Sequence, residues 1–248
     1  RIYIMELIKK SIKAIIFDMD GTIIHTEQAW KDATITTLKS YGITEFTPEQ
    51  HEFLKSLSGT GLGIAATKVK EYFKLPQSVE EIMKQKLTFA EFYLSQDIQF
   101  IDGFADFHRR LQAAGMPTSL ATNASPETVQ KMTEKLQLND FFGNHLYCSF
   151  DVGNKPKPDP AVFLHAAEKL GVAPEHCIVF EDSLVGFTAA QAAGMRCIAI
   201  KNDINHSFLD LAHGAIDHYD HAEVAIKQAL LLPARVRKAE EKETRSSV

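Results

Sequence analysis

From residue 100 onward the chain alternates short apolar runs with segments of helical spacing. Residues 104–114 read as a helix closed by Gly115, and 117–121 as a strand ending in Thr122-Asn123. Residues 127–136 read as a helix that Ser125-Pro126 opens, because a cap residue followed by a first-turn proline starts helices well. A strand over 145–149, a helix over 160–170 and a strand over 177–180 ending in Glu181-Asp182 come next. A helix of small residues over 184–193 and a strand over 196–200 complete the pattern. Alternation of this kind predicts right-handed βαβ units and a parallel sheet covered by helices on both faces. One further strand precedes it, Ala14-Ile15-Ile16, which runs straight into Phe17-Asp18-Met19-Asp20-Gly21-Thr22. A strand buried on both faces reads as a continuous apolar run of this kind.

Between these two parts, residues 26–98 hold no convincing strand. Helices are predicted at about 30–41, 48–57, 65–73 and 79–96, with a loop of three glycines at Ser58-Gly59-Thr60-Gly61-Leu62-Gly63. The expected organisation is an α/β core made of residues 1–25 and 99–232, a helical insertion over 26–98, and a solvated tail over 233–248. That tail mixes Arg, Lys, Glu and Ser without an apolar face.

Composition excludes several classes of function. The chain has 248 residues, is 45% hydrophobic and 24% charged, and carries a net charge of -5. That is an ordinary globular balance with no basic excess to neutralise nucleic-acid phosphates. No apolar stretch approaches the roughly 20 residues needed to span a bilayer. Residues 1–13 lack the uninterrupted apolar core and cleavage pattern of a signal peptide, so the expectation is a cytoplasmic protein without membrane or nucleic-acid partners. Cys148, Cys177 and Cys197 form no zinc spacing and are odd in number; buried, inert thiols are expected.

Open parallel sheets place ligands at the carboxyl ends of their strands. Asp18 and Asp20, one residue apart at such an end, repel each other unless a cation sits beside them, and a hard oxygen-seeking ion such as Mg²⁺ relieves that repulsion. An acid-rich surface turn is the plain alternative. Thr122 and Asn123, then Lys155, then Glu181, Asp182 and Ser183 are brought to the same edge by the alternation. Acids, a hydroxyl and a lysine are what phosphoryl transfer requires, since charge on the equatorial oxygens must be neutralised while a nucleophile attacks in line.

With Asp18-Met19-Asp20-Gly21-Thr22, Thr122, Lys155 and Glu181-Asp182-Ser183 in this order, residues 14–200 resemble the haloacid dehalogenase superfamily. The likeness is to its helical-cap branch of sugar-phosphate phosphatases and β-phosphoglucomutase. It implies a Rossmann-like parallel sheet core with an inserted α-helical cap domain. It implies Asp18 as nucleophile and metal ligand, and Asp20 as general acid/base whose backbone carbonyl helps hold Mg²⁺. Thr122 and the Asn123 backbone would bind the phosphoryl group, and Lys155 would pair with Asp18, preferred over Lys157 on motif position. Asp182 would ligate Mg²⁺ directly, Glu181 would stand at or just behind it, and Ser183 would orient both acids.

The cap chooses the substrate in this family. Gly59 of the glycine-rich loop and Lys86 match positions that face the substrate in relatives, although Lys86 could equally lie along the edge of the cap packing. Trp30 stands where the mutase has a histidine, in Glu27-Gln28-Ala29-Trp30, and also falls on the apolar stripe of its helix. Leu62 is the nearest match to the mutase's phosphate-binding arginine, which favours hydrolysis over mutation. His25 replaces a usual Asp at the hinge. The expected activity is a Mg²⁺-dependent phosphatase acting on a small sugar or polyol phosphate through an aspartyl-phosphate, in a monomer or weak homodimer. The alternatives are a β-phosphoglucomutase-like phosphohexomutase and a catalytically silent regulatory phosphate-binding protein.

Overall fold

A computed structural model describes residues 2–57, 60–96 and 98–232. The tail expected over 233–248 and Gly59 lie outside the described residues. The order of elements is α1 (Ile2–Ser11), β1 (Ala14–Phe17), α2 (Glu27–Ser40), α3 (Pro48–Lys55), α4 (Leu62–Phe73), α5 (Val79–Leu94), α6 (Phe104–Ala113) and β2 (Thr118–Thr122). Then come α7 (Pro126–Leu136), α8 (Leu138–Phe142), β3 (Leu146–Cys148), α9 (Ala161–Leu170) and β4 (Cys177–Glu181). The last elements are α10 (Leu184–Ala192), β5 (Arg196–Ile200), β6 (Gly214–Ile216) and α11 (Ala222–Ala229).

The strands form one six-stranded sheet in the order β3-β2-β1-β4-β5-β6, and each pair is parallel. The expected Rossmann-like α/β architecture is therefore present. All four residues of β1 are buried, because each face of the sheet is covered. Ile15 and Phe17 point into one apolar cluster with Phe104, Phe107, Ile178 and Phe180. Ala14 and Ile16 point into a second with Phe163, Val179 and Phe187. This is the period-2 alternation of a strand, with both sides apolar.

The helical block has its own core of Leu38, Leu54, Leu57, Val69, Leu75 and Ile82. Two of its helices start on reciprocal capping boxes, Thr47 with Gln50 for α3 and Ser78 with Glu81 for α5, each satisfying two otherwise unpaired backbone donors. Helix α4 begins at Leu62, inside the segment read as a glycine loop. Helices α1, α8 and α11 and strand β6 lie outside the elements expected from the sequence. All three cysteines are buried and unpaired. Among the described residues no helix is long and apolar enough to cross a membrane.

His108 is fully buried against Phe17 and Phe142 and shares a 2.9 Å hydrogen bond with Thr118. Burial pushes its imidazole down to about 4. The unfolded chain therefore binds more protons than the native one between the ordinary value and about pH 4. Stability from the neutral ring is complete above pH 6.5 and is lost as the pH falls toward 4, by about 3 kcal/mol. Denaturant melts of wild type and His108→Phe at pH 7 and pH 4.5 should show a steeper acid loss in the wild type.

Candidate active site

The site forms where β1 parts from its neighbours. Asp18 extends the ladder one residue beyond β1, its N–H donating to Phe180 O at 3.0 Å, and its side chain is buried. The chain then turns sharply through Gly21, whose φ of +73° falls in the left-handed region that favours glycine. Space also demands glycine here. A Cβ on Gly21 would stand 2.3 Å from Asp182 Oδ2 and 2.7 Å from Glu27 Oε1. The helical block leaves and returns side by side, with His25 N–H bonded to Gln99 O at 3.0 Å and Ile101 N–H to Ile23 O at 2.9 Å. His25 itself is exposed.

The lysine that meets Asp18 is Lys157. Lys155, preferred from the sequence, is exposed. Lys157 is 1% exposed, and its ammonium has three acceptors: Asp18 Oδ1 at 2.5 Å, Glu181 Oε1 at 2.9 Å and Ala121 O at 2.8 Å. All three of its donors are used. Two contacts from Asn123 decide between the lysines. Its Oδ1 accepts the Lys157 N–H at 2.8 Å and its Nδ2 donates to Lys157 O at 3.4 Å. Asn123, expected to offer its backbone to the phosphoryl group, thus spends its side chain on anchoring the lysine loop. The signal that could have found Lys157 is its place nearer to α9, in Lys157-Pro158-Asp159-Pro160.

Three buried acids, Asp18, Glu181 and Asp182, each bring an oxygen within 4.8 Å of the others. Burial pushes Asp18 up to about 7; Lys157 opposes this, and Glu181 and Asp20 add to it. Burial likewise raises Asp182 well above the carboxylate range, helped by Glu181 and Asp18. Burial alone would lower the Lys157 amine, but Asp18 and Glu181 outweigh it and hold it above its ordinary value. One ammonium does not neutralise this group of carboxylates, and hard oxygen donors fit a small divalent ion.

Glu181 has little left to offer such an ion. Its Oε1 takes Lys157, and its Oε2 accepts from Asp182 N–H at 2.7 Å, Ser183 N–H at 2.7 Å and Ser183 Oγ at 3.0 Å. It stands behind Asp182 and holds the lysine. Gly186 makes room for it, since a Cβ there would come 1.8 Å from its carboxyl carbon. Ser183 also caps α10 through Gly186 N–H at 3.1 Å. Thr122, buried at the end of β2, accepts from Ala124 N–H at 3.1 Å and faces the same cavity as Asp18.

Asp20 is gripped from the helical block. Its Oδ1 accepts from the Thr26 hydroxyl and, at 3.0 Å, from the Trp30 indole N–H. Burial raises its carboxyl above the ordinary range, against the lowering effect of those two donors. Thr26 was not singled out from the sequence, because a hydroxyl at a helix start reads as a cap. Trp30 packs against the core, as its place on the apolar stripe implies, and also donates to Asp20, a contact the sequence does not show.

A cavity of about 450 Å³ lies between the sheet edge and the helical block. Its floor carries Asp18, Asp20 and Thr122, and its roof carries Trp30, Leu62 and Lys86. Lys86 is buried, its ammonium 5.6 Å from the centre of the Trp30 ring, and burial lowers it to about 8.

The sequence pattern of the haloacid dehalogenase-like hydrolases matches residues 15–200. The chain belongs to that family, and among its members it is an enzyme of the phosphatase kind. It is 34% identical over 192 residues to a Drosophila melanogaster protein named "Probable pseudouridine-5'-phosphatase", spanning 75% of this chain and 80% of that one. It is 27% identical over 207 residues to the phosphorylated carbohydrates phosphatase of Thermotoga maritima, spanning 83% and 93% of the two chains. The structure of CbbY from Rhodobacter sphaeroides in complex with phosphate superposes with a TM-score of 0.69 at 25% identity, covering 84% of this chain and 95% of that one.

Proposed function

We propose that the protein is a Mg²⁺-dependent phosphatase that hydrolyses a small phosphate monoester, a sugar or polyol phosphate, through an aspartyl-phosphate on Asp18. The observation that carries this reading is the convergence at one edge of the sheet of Asp18 and Asp20 after β1, Thr122 at the end of β2 and Asp182 after β4, with Lys157 brought in from the loop before α9 to meet Asp18. A carboxylate at the end of a buried strand, paired with a lysine, is a positioned nucleophile. In-line attack by Asp18 on phosphorus breaks the ester bond, and the leaving oxygen takes a proton from Asp20. Water then attacks the same phosphorus while Asp20 takes a proton from that water, releasing inorganic phosphate and restoring Asp18.

Burial raises Asp20 above the ordinary carboxylate range, the direction that suits a group that must give a proton and then take one. Lys157 and Thr122 stabilise charge on the transferring phosphoryl oxygens. Asp18, Asp182 and the Asp20 carbonyl would hold Mg²⁺, which supplies further neutralisation of that charge. The helical block acts as a cap that excludes water and contacts the leaving group through Lys86 and Trp30. Gly59, outside the described residues, remains a proposed substrate contact. Support for a carbohydrate-like ester comes from the Thermotoga relative, which is named for phosphorylated carbohydrates. Leu62 lines the roof, and among the described lining residues no arginine is present to grip a second phosphate. Hydrolysis is therefore favoured over phosphohexomutase activity.

The test is release of inorganic phosphate from a panel of sugar, polyol and nucleoside monophosphates, with Mg²⁺ and with excess chelator. Turnover of at least one ester with Mg²⁺, falling to background in chelator, is expected. Full turnover in chelator overturns the metal-dependent reading. No turnover across the panel overturns the phosphatase reading in favour of a silent phosphate-binding protein.

A further inference from the structure

We infer that Glu27 and Asn202 are positioning residues of the metal site, through which the helical block is tied to the ion that Asp182 holds. This rests on the Mg²⁺ reading above. Glu27 is the first residue of α2, immediately after the Thr26 that grips Asp20. Its Oε1 accepts from Asn202 Nδ2 at 3.2 Å, and the same Nδ2 donates to Asp182 Oδ2 at 3.0 Å. One amide group therefore links an acid of the helical block to an acid of the sheet edge.

The amide cannot turn away. Asn202 Oδ1 accepts from Ile204 N–H at 2.9 Å and Asn205 N–H at 3.0 Å, which commits its Nδ2 to the two acids. Asn205, fully buried, fixes the loop in turn, donating to Asp182 O at 2.8 Å and Ile200 O at 2.7 Å. The segment after β5 is thus a bracket around Asp182, built from side-chain amides. From the other side, Glu27 and Asp182 both crowd the space that a Cβ on Gly21 would take.

A single neutral amide does not compensate two facing carboxylates, one of which, Asp182, is buried. A cation beside Asp182 does, so Glu27 strengthens the field that draws it, while Asn202 fixes the orientation of the ligand. Partners behind a metal ligand have effects of this kind on affinity. The coupling is reciprocal. Whatever holds the ion at Asp182 also holds the first turn of α2, and Trp30 lies three residues further along that helix. Seating of the helical block on Asp20 and filling of the metal site then favour each other. A first-turn acid that merely complements the helix dipole would have no such effect.

The experiment is calorimetric titration of the full chain with Mg²⁺, followed in parallel by the fluorescence of Trp30, the one tryptophan in the sequence. Glu27→Gln and Asn202→Ala are each expected to weaken Mg²⁺ binding by about tenfold or more. Each should also diminish the Mg²⁺-dependent change in Trp30 emission. Glu27→Asp, which keeps the charge, should recover part of the affinity. Melting curves without Mg²⁺ verify that the variants are folded; Glu27 lies at a helix start, where glutamine is well tolerated. Wild-type affinity in Glu27→Gln overturns the inference while leaving the phosphatase reading intact. Absence of Mg²⁺ binding in the wild type overturns both.

Discussion

Lys157→Ala is expected to unfold more easily than wild type by about 3–5 kcal/mol, because it leaves Asp18 and Glu181 buried without their cation. The loss is larger than for a surface pair because both partners and the lysine are almost wholly withdrawn from water. Turnover should fall by about a hundred- to a thousandfold, because the variant loses the fixed positive charge beside Asp18 and the phosphoryl group. Lys155→Ala, two residues away and exposed, should stay within about 0.5 kcal/mol of wild type and keep its turnover. Denaturant melts and phosphate release on the two variants, side by side, separate the lysines. Equal effects would mean that the buried ammonium is not the one that serves the reaction. Arginine should not rescue position 157, since Nζ already sits among three acceptors placed for a point charge and the planar fork is larger.

Asp18→Asn is expected to lower turnover by at least about a thousandfold while costing far less stability than Lys157→Ala. The amide has nearly the shape of the carboxylate and keeps an oxygen to accept from Lys157. It also removes a charge that burial and Glu181 already disfavour, as the rise of this carboxyl to about 7 indicates. What it loses is nucleophilicity toward phosphorus. A folded, inactive Asp18→Asn is the expected outcome, measured as phosphate release at saturating ester. Turnover within a few-fold of wild type would sink the covalent mechanism and require a direct attack by water.

Much of this is legible in the sequence alone. The buried run into Asp18-Met19-Asp20-Gly21-Thr22 could be read because a strand covered on both faces must be apolar throughout, and because glycine is demanded where the turn goes left-handed. The ends of β2 and β4 can be read for the same reason, and the alternation alone brings Thr122, Glu181 and Asp182 to the sheet edge that carries Asp18. Short elements escaped. Strand β6 has three residues and α8 five, too few to show a period, while α1 and α11 pack their apolar faces on the same cluster.

The sequence by itself determined the parallel sheet, the helical block behind its first strand and the set of residue types at the strand ends. These follow from local periodicity, which each segment carries within itself. Only the tertiary structure decided which lysine enters the site and which acid stays free. Lys155 and Lys157 both precede a proline, and what separates them is Asn123, 34 residues away, holding one backbone and not the other. Glu181 and Asp182 are neighbours in the chain, yet donors close around both oxygens of the first and leave the second facing Asn202 and Glu27. Such choices depend on partners distant in sequence, whose hydrogen bonds exist only once the chain has folded.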